Sequence, residues 1–406
     1  MTRRLLASAA LLAAALASGG RAAAQQADRI VIRAEPGTPV VAQELLLAVG
    51  AADEPELQPG IAYLTARVAT ATARPVLDSL GARLEVQARR EGLEFTLTAA
   101  PDVWEDASRA LLTALFRDPT DSASTTRERA RIVAELEATE NSPAAVAGRA
   151  ADAALYGAEH PWARPPQGTS ESVATLTASD VDVFLRKNFT ADRATIAVVG
   201  PVDPAEARGF LVGRLNAAPL EIAEAPAPQP GDTAVRQEFG SITAWVSASY
   251  SFGADADLDA LQLLASVVAE RFAFSSSTRQ LYDARGEVVR HRGGGEVRFT
   301  LVVPPAEVDA WGERLRAAVA SVAGAPLPAG VFNDRLRRYR GERLLELDSP
   351  EARARALARE LWLTRSRATE AVVSLGVLTP ERLQRAAQSL KAPVMVYLGP
   401  FENAEH

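Results

Sequence analysis

Thr195-Ile196-Ala197-Val198-Val199-Gly200-Pro201 and Val394-Met395-Val396-Tyr397-Leu398-Gly399-Pro400 are two copies of one pattern, an apolar run of strand character that stops at Gly-Pro. Gly200 and Gly399 lie 199 residues apart. A second pair of segments keeps nearly the same interval. Leu45-Leu46-Leu47-Ala48-Val49 leads into Gly50-Ala51-Ala52-Asp53, and a helix pattern follows from near Pro59. Trp245-Val246-Ser247-Ala248-Ser249-Tyr250 leads into Gly253-Ala254-Asp255, and a helix pattern follows from Leu258. Gly50 and Gly253 are 203 residues apart. Spacing held along almost the whole chain means an internal duplication.

The boundary between the copies falls at residues 218–232, where Pro219, Pro226, Pro228 and Pro230 make a semi-rigid linker. This gives a first domain over residues 25–217 and a homologous second domain over residues 233–406. Within the first, residues 102–116 and 126–154 carry helical spacing of apolar residues. Residues 83–97 read as two strands around Arg90-Glu91-Gly92, and Asp203-Pro204 opens a helix with Asp as cap and Pro in the first turn. Hairpin strands with helices packed on one face predict a duplicated α+β fold.

The whole chain has 406 residues, 48% of them hydrophobic, enough for two cores. Residues 1–24 have the form of a secretory signal peptide: Arg3 and Arg4, the short apolar run Leu5 to Leu16, then Ala22-Ala23-Ala24 before Gln25. The expected home is a bacterial periplasm, with no membrane insertion, since the run is too short for an anchor. Loss of that segment removes three of 44 basic residues and none of 51 acidic ones, taking the net charge from −7 to −10. A chain so acidic, without a basic cluster, is not expected to bind nucleic acid. With no Cys there are neither disulfides nor thiolate metal sites.

Several segments, in order, resemble the insulinase/pitrilysin family of zinc metallopeptidases. They are Val49-Gly50 with Asp53-Glu54-Pro55 and Pro59-Gly60-Ile61-Ala62; Leu80-Gly81-Ala82-Arg83-Leu84; Glu128-Arg129 with Glu135; Tyr156, His160-Pro161-Trp162, Gly168, Leu176-Thr177 and Asp180-Val181; and Val198-Val199-Gly200-Pro201-Val202-Asp203. The resemblance implies two homologous insulinase/pitrilysin-like domains forming a clamshell. Active members carry His-x-x-Glu-His on the first helix, which puts two imidazoles on one helix face with a Glu to activate water. The matching residues here are Tyr63, Ala66 and Arg67. Alanine moves no proton, and arginine stays charged and repels a dication. Glu135 matches the third ligand, with Glu128 seven residues earlier on the same face. His160, His291 and His406 are the only imidazoles and have no ligand spacing. The expectation is therefore no cofactor and no catalysis by the chain alone, with zinc supplied only by a partner or an unrecognised site.

In place of a metal, Arg67 is expected to pair with Glu135. The family's substrate-holding Arg and Tyr in the second half correspond to Tyr282 and Val289, while Arg285-Gly286 is read as a turn. His160-Pro161-Trp162 reads as a structural loop, Gly293-Gly294-Gly295 as a flexible hairpin tip, and Ser275-Ser276-Ser277-Thr278 as a helix start. Asn188-Phe189-Thr190 fits a glycosylation sequon but is expected to stay bare. The resemblance implies a non-catalytic subunit paired with a zinc-bearing sister chain, with peptides captured on the strand Arg83-Leu84-Glu85-Val86-Gln87. The alternatives are an assembly scaffold without a role in proteolysis and an active enzyme with unusual ligands.

Overall fold

The computed structural model describes residues 29–117, 119–215, 233–273, 281–364 and 377–401. The signal segment, the 218–232 linker, Ser275–Thr278 and His406 lie outside the described residues.

The first half is a five-stranded sheet of β1 (Ile30–Ala34), β2 (Val41–Leu47), β3 (Arg83–Ala88), β4 (Leu93–Ala99) and β5 (Ala194–Gly200), in the order β1-β5-β2-β4-β3. β1 runs parallel to β5, and the other pairs are antiparallel. Alternation along the strands sends Leu45, Leu47, Phe95, Leu97, Ile196 and Val198 to one face. That face packs on α1 (Ile61–Ala71), α2 (Arg74–Ser79), α3 (Trp104–Phe116), α4 (Ser122–Thr139) and α7 (Ala178–Asn188). The remaining helices of this half are α5 (Pro143–Tyr156), α6 (Ser170–Ala174) and α8 (Pro204–Arg214). The helical run expected over residues 126–154 is two helices. Ser142-Pro143 breaks it, because proline cannot donate to the turn before it and its ring crowds that turn, while Ser142 caps the new helix.

The second half repeats the plan. β6 (Ala234–Glu238), β7 (Ala244–Gly253), β8 (Asp283–His291), β9 (Gly294–Val303) and β10 (Val394–Gly399) stand in the order β6-β10-β7-β9-β8, again with the first strand parallel to the last. The helices are α9 (Leu258–Ala273), α10 (Val308–Gly324), α11 (Ala329–Glu346), α12 (Pro350–Thr364) and α13 (Pro380–Ser389). α12 starts on Ser349-Pro350, the counterpart of Ser142-Pro143. The duplicated Gly-Pro has one physical cause in both halves. A Cβ on Gly200 would stand 2.8 Å from the Val40 carbonyl oxygen, and one on Gly399 would stand 2.9 Å from Ala244 Cα.

Two glycine readings need correction. Arg285-Gly286 is not a turn but lies within β8, beneath α9, where a Gly286 Cβ would stand 2.3 Å from the Ala265 carbonyl oxygen. Gly293–Gly295 does form the β8–β9 tip, yet a Gly295 Cβ would collide with Val289 and the Phe252 ring, so packing rather than mobility requires it. Asn188 is buried and donates to the Phe184 carbonyl oxygen, out of reach of modification.

The second face of each sheet is covered by a helix from the other half. α12 lays Ala354, Leu357, Ala358 and Leu361 on Val31, Ala42, Ala197 and Val199 of the first sheet. α5 lays Val146, Ala147, Ala151, Ala154 and Leu155 on Val394, Val396 and Leu398 of the second. Each buried leucine of these contacts contributes about 2 kcal/mol. The exchange binds the two halves to one another independently of the linker.

Candidate functional site

α1 begins at Gly60, whose φ of 89° and contact with the Gln167 carbonyl oxygen, 2.7 Å from any Cβ, both require glycine. Its first turn is closed from below by Glu54, which accepts from the backbone N–H of Gly60 and Ala62 at 3.1 Å. Burial is the main influence on the Glu54 carboxyl and raises it to about 7, against the pull of those N–H groups. Nothing in the local sequence marks this cap.

One turn further on, Tyr63 and Arg67 share a helix face, and α4 lies across it. Arg67 occupies the slot between the helices. Its Nε and Nη2 reach Glu128 Oε2 at 3.1 and 3.0 Å. Its Nη1 reaches Tyr63 Oη at 3.0 Å and Glu135 Oε2 at 3.2 Å. Burial works against this guanidinium, but Glu135 and Tyr63 outweigh it and hold its pKa above the ordinary value. Glu128 is 3% exposed and also bound by Arg131 at 2.9 Å, whereas Glu135 is 57% exposed. Ala66 is buried beside them with nothing to move a proton. The residues present do not fit zinc: they offer two carboxylates and a phenol, already ligated by a fixed cation. Among the described residues no cluster of three His, Cys, Asp or Glu stands close enough to hold a metal.

The chain has the fold of the M16 (insulinase/pitrilysin) peptidases. A crystal structure described as a peptidase M16 inactive domain from Pseudomonas fluorescens superposes with a TM-score of 0.80 at 18% identity, covering 93% of this chain and 96% of that one. A protease from Helicobacter pylori gives 0.76 at 14% identity, over 91% and 96%. A chain of complex III2 from Candida albicans gives 0.76 at 17%, over 91% and 93%. In sequence, an uncharacterized zinc protease of Mycobacterium leprae is 36% identical over 76 residues, 19% of this chain and 17% of that protein. No family model matches the chain.

The M16-fold duplication places a second slot between α9 and α11. There Glu270 is bonded to Arg335, and Tyr339 Oη donates to Gln262 at 2.8 Å. Other candidate residues are dispersed. Arg83–Gln87 form β3, the outer edge of the first sheet, whose far side pairs with no strand among the described residues. Tyr282 is 65% exposed just before β8, and Val289 lines a cavity of about 1020 Å³ between the halves with Arg90, His291 and Trp362. His160 is buried and accepts from the Trp162 N–H through Nδ1 at 3.1 Å, closing its own loop. Trp162 in turn packs on His291 with centroids 4.1 Å apart, bringing two histidines from opposite halves into one aromatic cluster. Burial, the larger influence, lowers His291 to about 4.

Proposed function

We propose that the chain is a non-catalytic member of the insulinase/pitrilysin family, exported to the periplasm, that pairs with a zinc-bearing sister chain to enclose peptides. The observation that carries this is Arg67. It fills the inter-helix slot with its own charge and is held by both acidic residues that a metal would need. Likeness to a structure described as an inactive M16 domain supports the same reading. The free edge of β3 supplies unpaired backbone groups, so an extended peptide can be held there by strand addition whether or not it is cut by this chain. No single helix among the described residues is long and apolar enough to cross a membrane.

The test is zinc content and peptidase activity of the purified chain, alone and recovered from its source with its partner. Below about 0.1 zinc per chain when alone, together with chelator-sensitive cleavage of an unstructured peptide in the recovered pair, is the expected result. Near one zinc per isolated chain, or cleavage by it, overturns the reading.

A second reading, an assembly scaffold without peptide handling, is favoured by one observation. Tyr282 and Val289 stand where the family's substrate-holding Arg and Tyr are expected. It predicts that β3 proline substitutions leave peptide retention by the recovered complex unchanged.

A further inference from the structure

The two helix-on-sheet contacts that join the halves are copies of each other, except that their charges are reversed. Glu94-Phe95-Thr96-Leu97 on β4 matches Arg298-Phe299-Thr300-Leu301 on β9 at a constant interval of 204 residues. Asp152 on α5 matches Arg359 on α12 at the 207-residue interval that separates Ser142-Pro143 from Ser349-Pro350. Phe95 and Phe299 face their own cores, so Glu94 and Arg298 face the helix from the other half. Arg359 donates to Glu94 at 2.5 and 2.7 Å. Arg298 donates to Asp152 at 2.5 Å. Both sheet residues are deeply buried, with side chains 2% and 8% exposed.

Around these pairs the surfaces share small apolar positions. Ala147 and Ala151 of α5 correspond to Ala354 and Ala358 of α12, and all lie on small apolar sheet faces. Both helices thus present an apolar face, and hydrophobicity alone admits either helix on either sheet. Besides the leucines that α12 carries at 357 and 361, where α5 has Ala150 and Ala154, the reversed charges separate the correct arrangement from one in which α5 of a second copy sits on the first sheet. We propose that the reversed pair is a pairing code: each outer sheet face is a docking surface for the helix of the unlike half and rejects the helix of the like half from a second copy. Docking α5 on the first sheet would bury Asp152 against Glu94. Docking α12 on the second would bury Arg359 against Arg298. Each would set like charges together where opposite ones now meet, leaving Glu94 with Arg89 and Arg298 with Glu296 as the remaining counter-charges in a contact that excludes water.

The test swaps the two charges of one interfacial pair and so removes the difference between the halves, at the cost of the secondary contacts of Glu94 with Arg89, Asp152 with Arg90 and Arg298 with Glu296. In the full chain, Glu94→Arg with Arg359→Glu leaves both sheets basic and both covering helices acidic. Asp152→Arg with Arg298→Asp leaves both sheets acidic and both helices basic. Refolded from urea at rising concentration and read by light scattering after size exclusion, the wild type should keep one mass. Each double variant should shift a major fraction to a multiple of that mass, and the fourfold variant should return to the wild-type pattern. Because the chain lacks Cys, Ala42→Cys with Ala151→Cys reports the wrong pairing directly, since those positions meet only when α5 lies on the first sheet. Disulfide-linked dimers are expected in a double-variant background and absent from the wild-type background. Double variants that keep the wild-type mass at every concentration overturn the proposal. So do a fourfold variant no better than the doubles, and a 42–151 cross-link between copies of the otherwise wild-type chain.

Discussion

Arg67 bound to Glu128 between α1 and α4, and Glu270 bound to Arg335 between α9 and α11, occupy the same place in one duplicated architecture. Glu128 and Arg335 are 207 residues apart, as are Glu135 and Glu342, and Arg67 and Glu270 are 203 apart. Both halves thus close the slot with an ion pair of opposite order. Removing a metal from between two helices leaves facing polar positions, and a lone charge buried there costs several kcal/mol unless it meets its opposite. The comparison teaches that this architecture asks for charge balance in the slot rather than for a particular residue.

The interfaces that join the halves differ more in substance. α12 holds the first sheet through charges: Arg353 to Glu35 at 2.8 Å, Arg355 to Thr96 at 3.0 Å, and Arg359 to Glu94. α5 meets the second sheet with small side chains and borders a cavity of about 730 Å³ reached by Trp245 and Arg298. Arg298 is the exception, a buried cation that shares Asp152 and the fully buried Glu296 with Arg90. Burial works to lower its pKa, but those two carboxylates hold it above the ordinary value. Arg298→Ala should therefore be the most damaging change, costing about 4 kcal/mol because it leaves two buried acids to the one guanidinium of Arg90. Chemical denaturation checks it; a loss below 1 kcal/mol would mean that Arg90, which also bonds Asp152 and Glu296, carries the cluster alone.

Leu357→Ala comes next at about 3 kcal/mol, the ordinary cost of a buried leucine. It sharpens the contrast, since its counterpart by interval is Ala150, and Ala150→Leu offers the second contact the side chain that the first already has. That reverse change should cost little, as the neighbouring cavity can take up volume. If thermal unfolding shows the two substitutions equally harmful, the second interface is as tightly packed as the first.

Much of this was legible in the sequence, and what escaped has a physical explanation. The Gly-Pro repeats exposed the duplication because the close approach at Gly200 and Gly399 admits no other residue. Tyr63, Arg67, Glu128 and Glu135 were legible through the family resemblance, with helical spacing setting each pair on one face. The interfacial pairs were hidden by their own reversal: Glu94 and Arg298 look unrelated until the Phe-Thr-Leu that follows each is aligned. Glu54 escaped as a cap because the N–H groups that donate to it lie across a loop whose course only the tertiary structure fixes. The helix exchange was invisible for a similar reason. Helical spacing over residues 126–154 does not say which sheet the helix covers, and residues 350–364 carry no motif of their own.

A smaller effect separates the sheets by pH. Glu44 bonds Thr96 at 2.6 Å, where the second half has Ser247 bonded to Thr300 at 3.0 Å. Burial first, and Glu94 second, push the Glu44 carboxyl up to about 8, against Thr96, Arg355 and Arg359. The folded chain then keeps a proton that the unfolded chain releases above its ordinary carboxylate range. Stability should fall as pH rises from about 5 to 8, by on the order of 2 kcal/mol. Glu44→Gln should flatten that slope and raise stability at pH 8. An unchanged slope would assign the titration to Glu54, which is raised to about 7.

The smallest expected effect lies in the slot that opened the comparison. Arg67→Ala removes a half-exposed pair with Glu135 and a buried one with Glu128, but Glu128 keeps Arg131 at 2.9 Å and has Arg74 at 3.9 Å. The loss should be about 1–2 kcal/mol, well short of Arg298→Ala, because the buried Glu128 keeps a partner and Glu135 is exposed to water. Tyr63→His with Arg67→His goes further: it vacates the cation and sets two imidazoles at i and i+4 beside Glu135. Zinc should then raise the melting temperature of this variant and leave the wild type unmoved. Absence of any shift would mean that Glu128, with its remaining arginines, keeps the slot positive enough to refuse a dication, so that building a metal site here would require reworking α4 as well as α1.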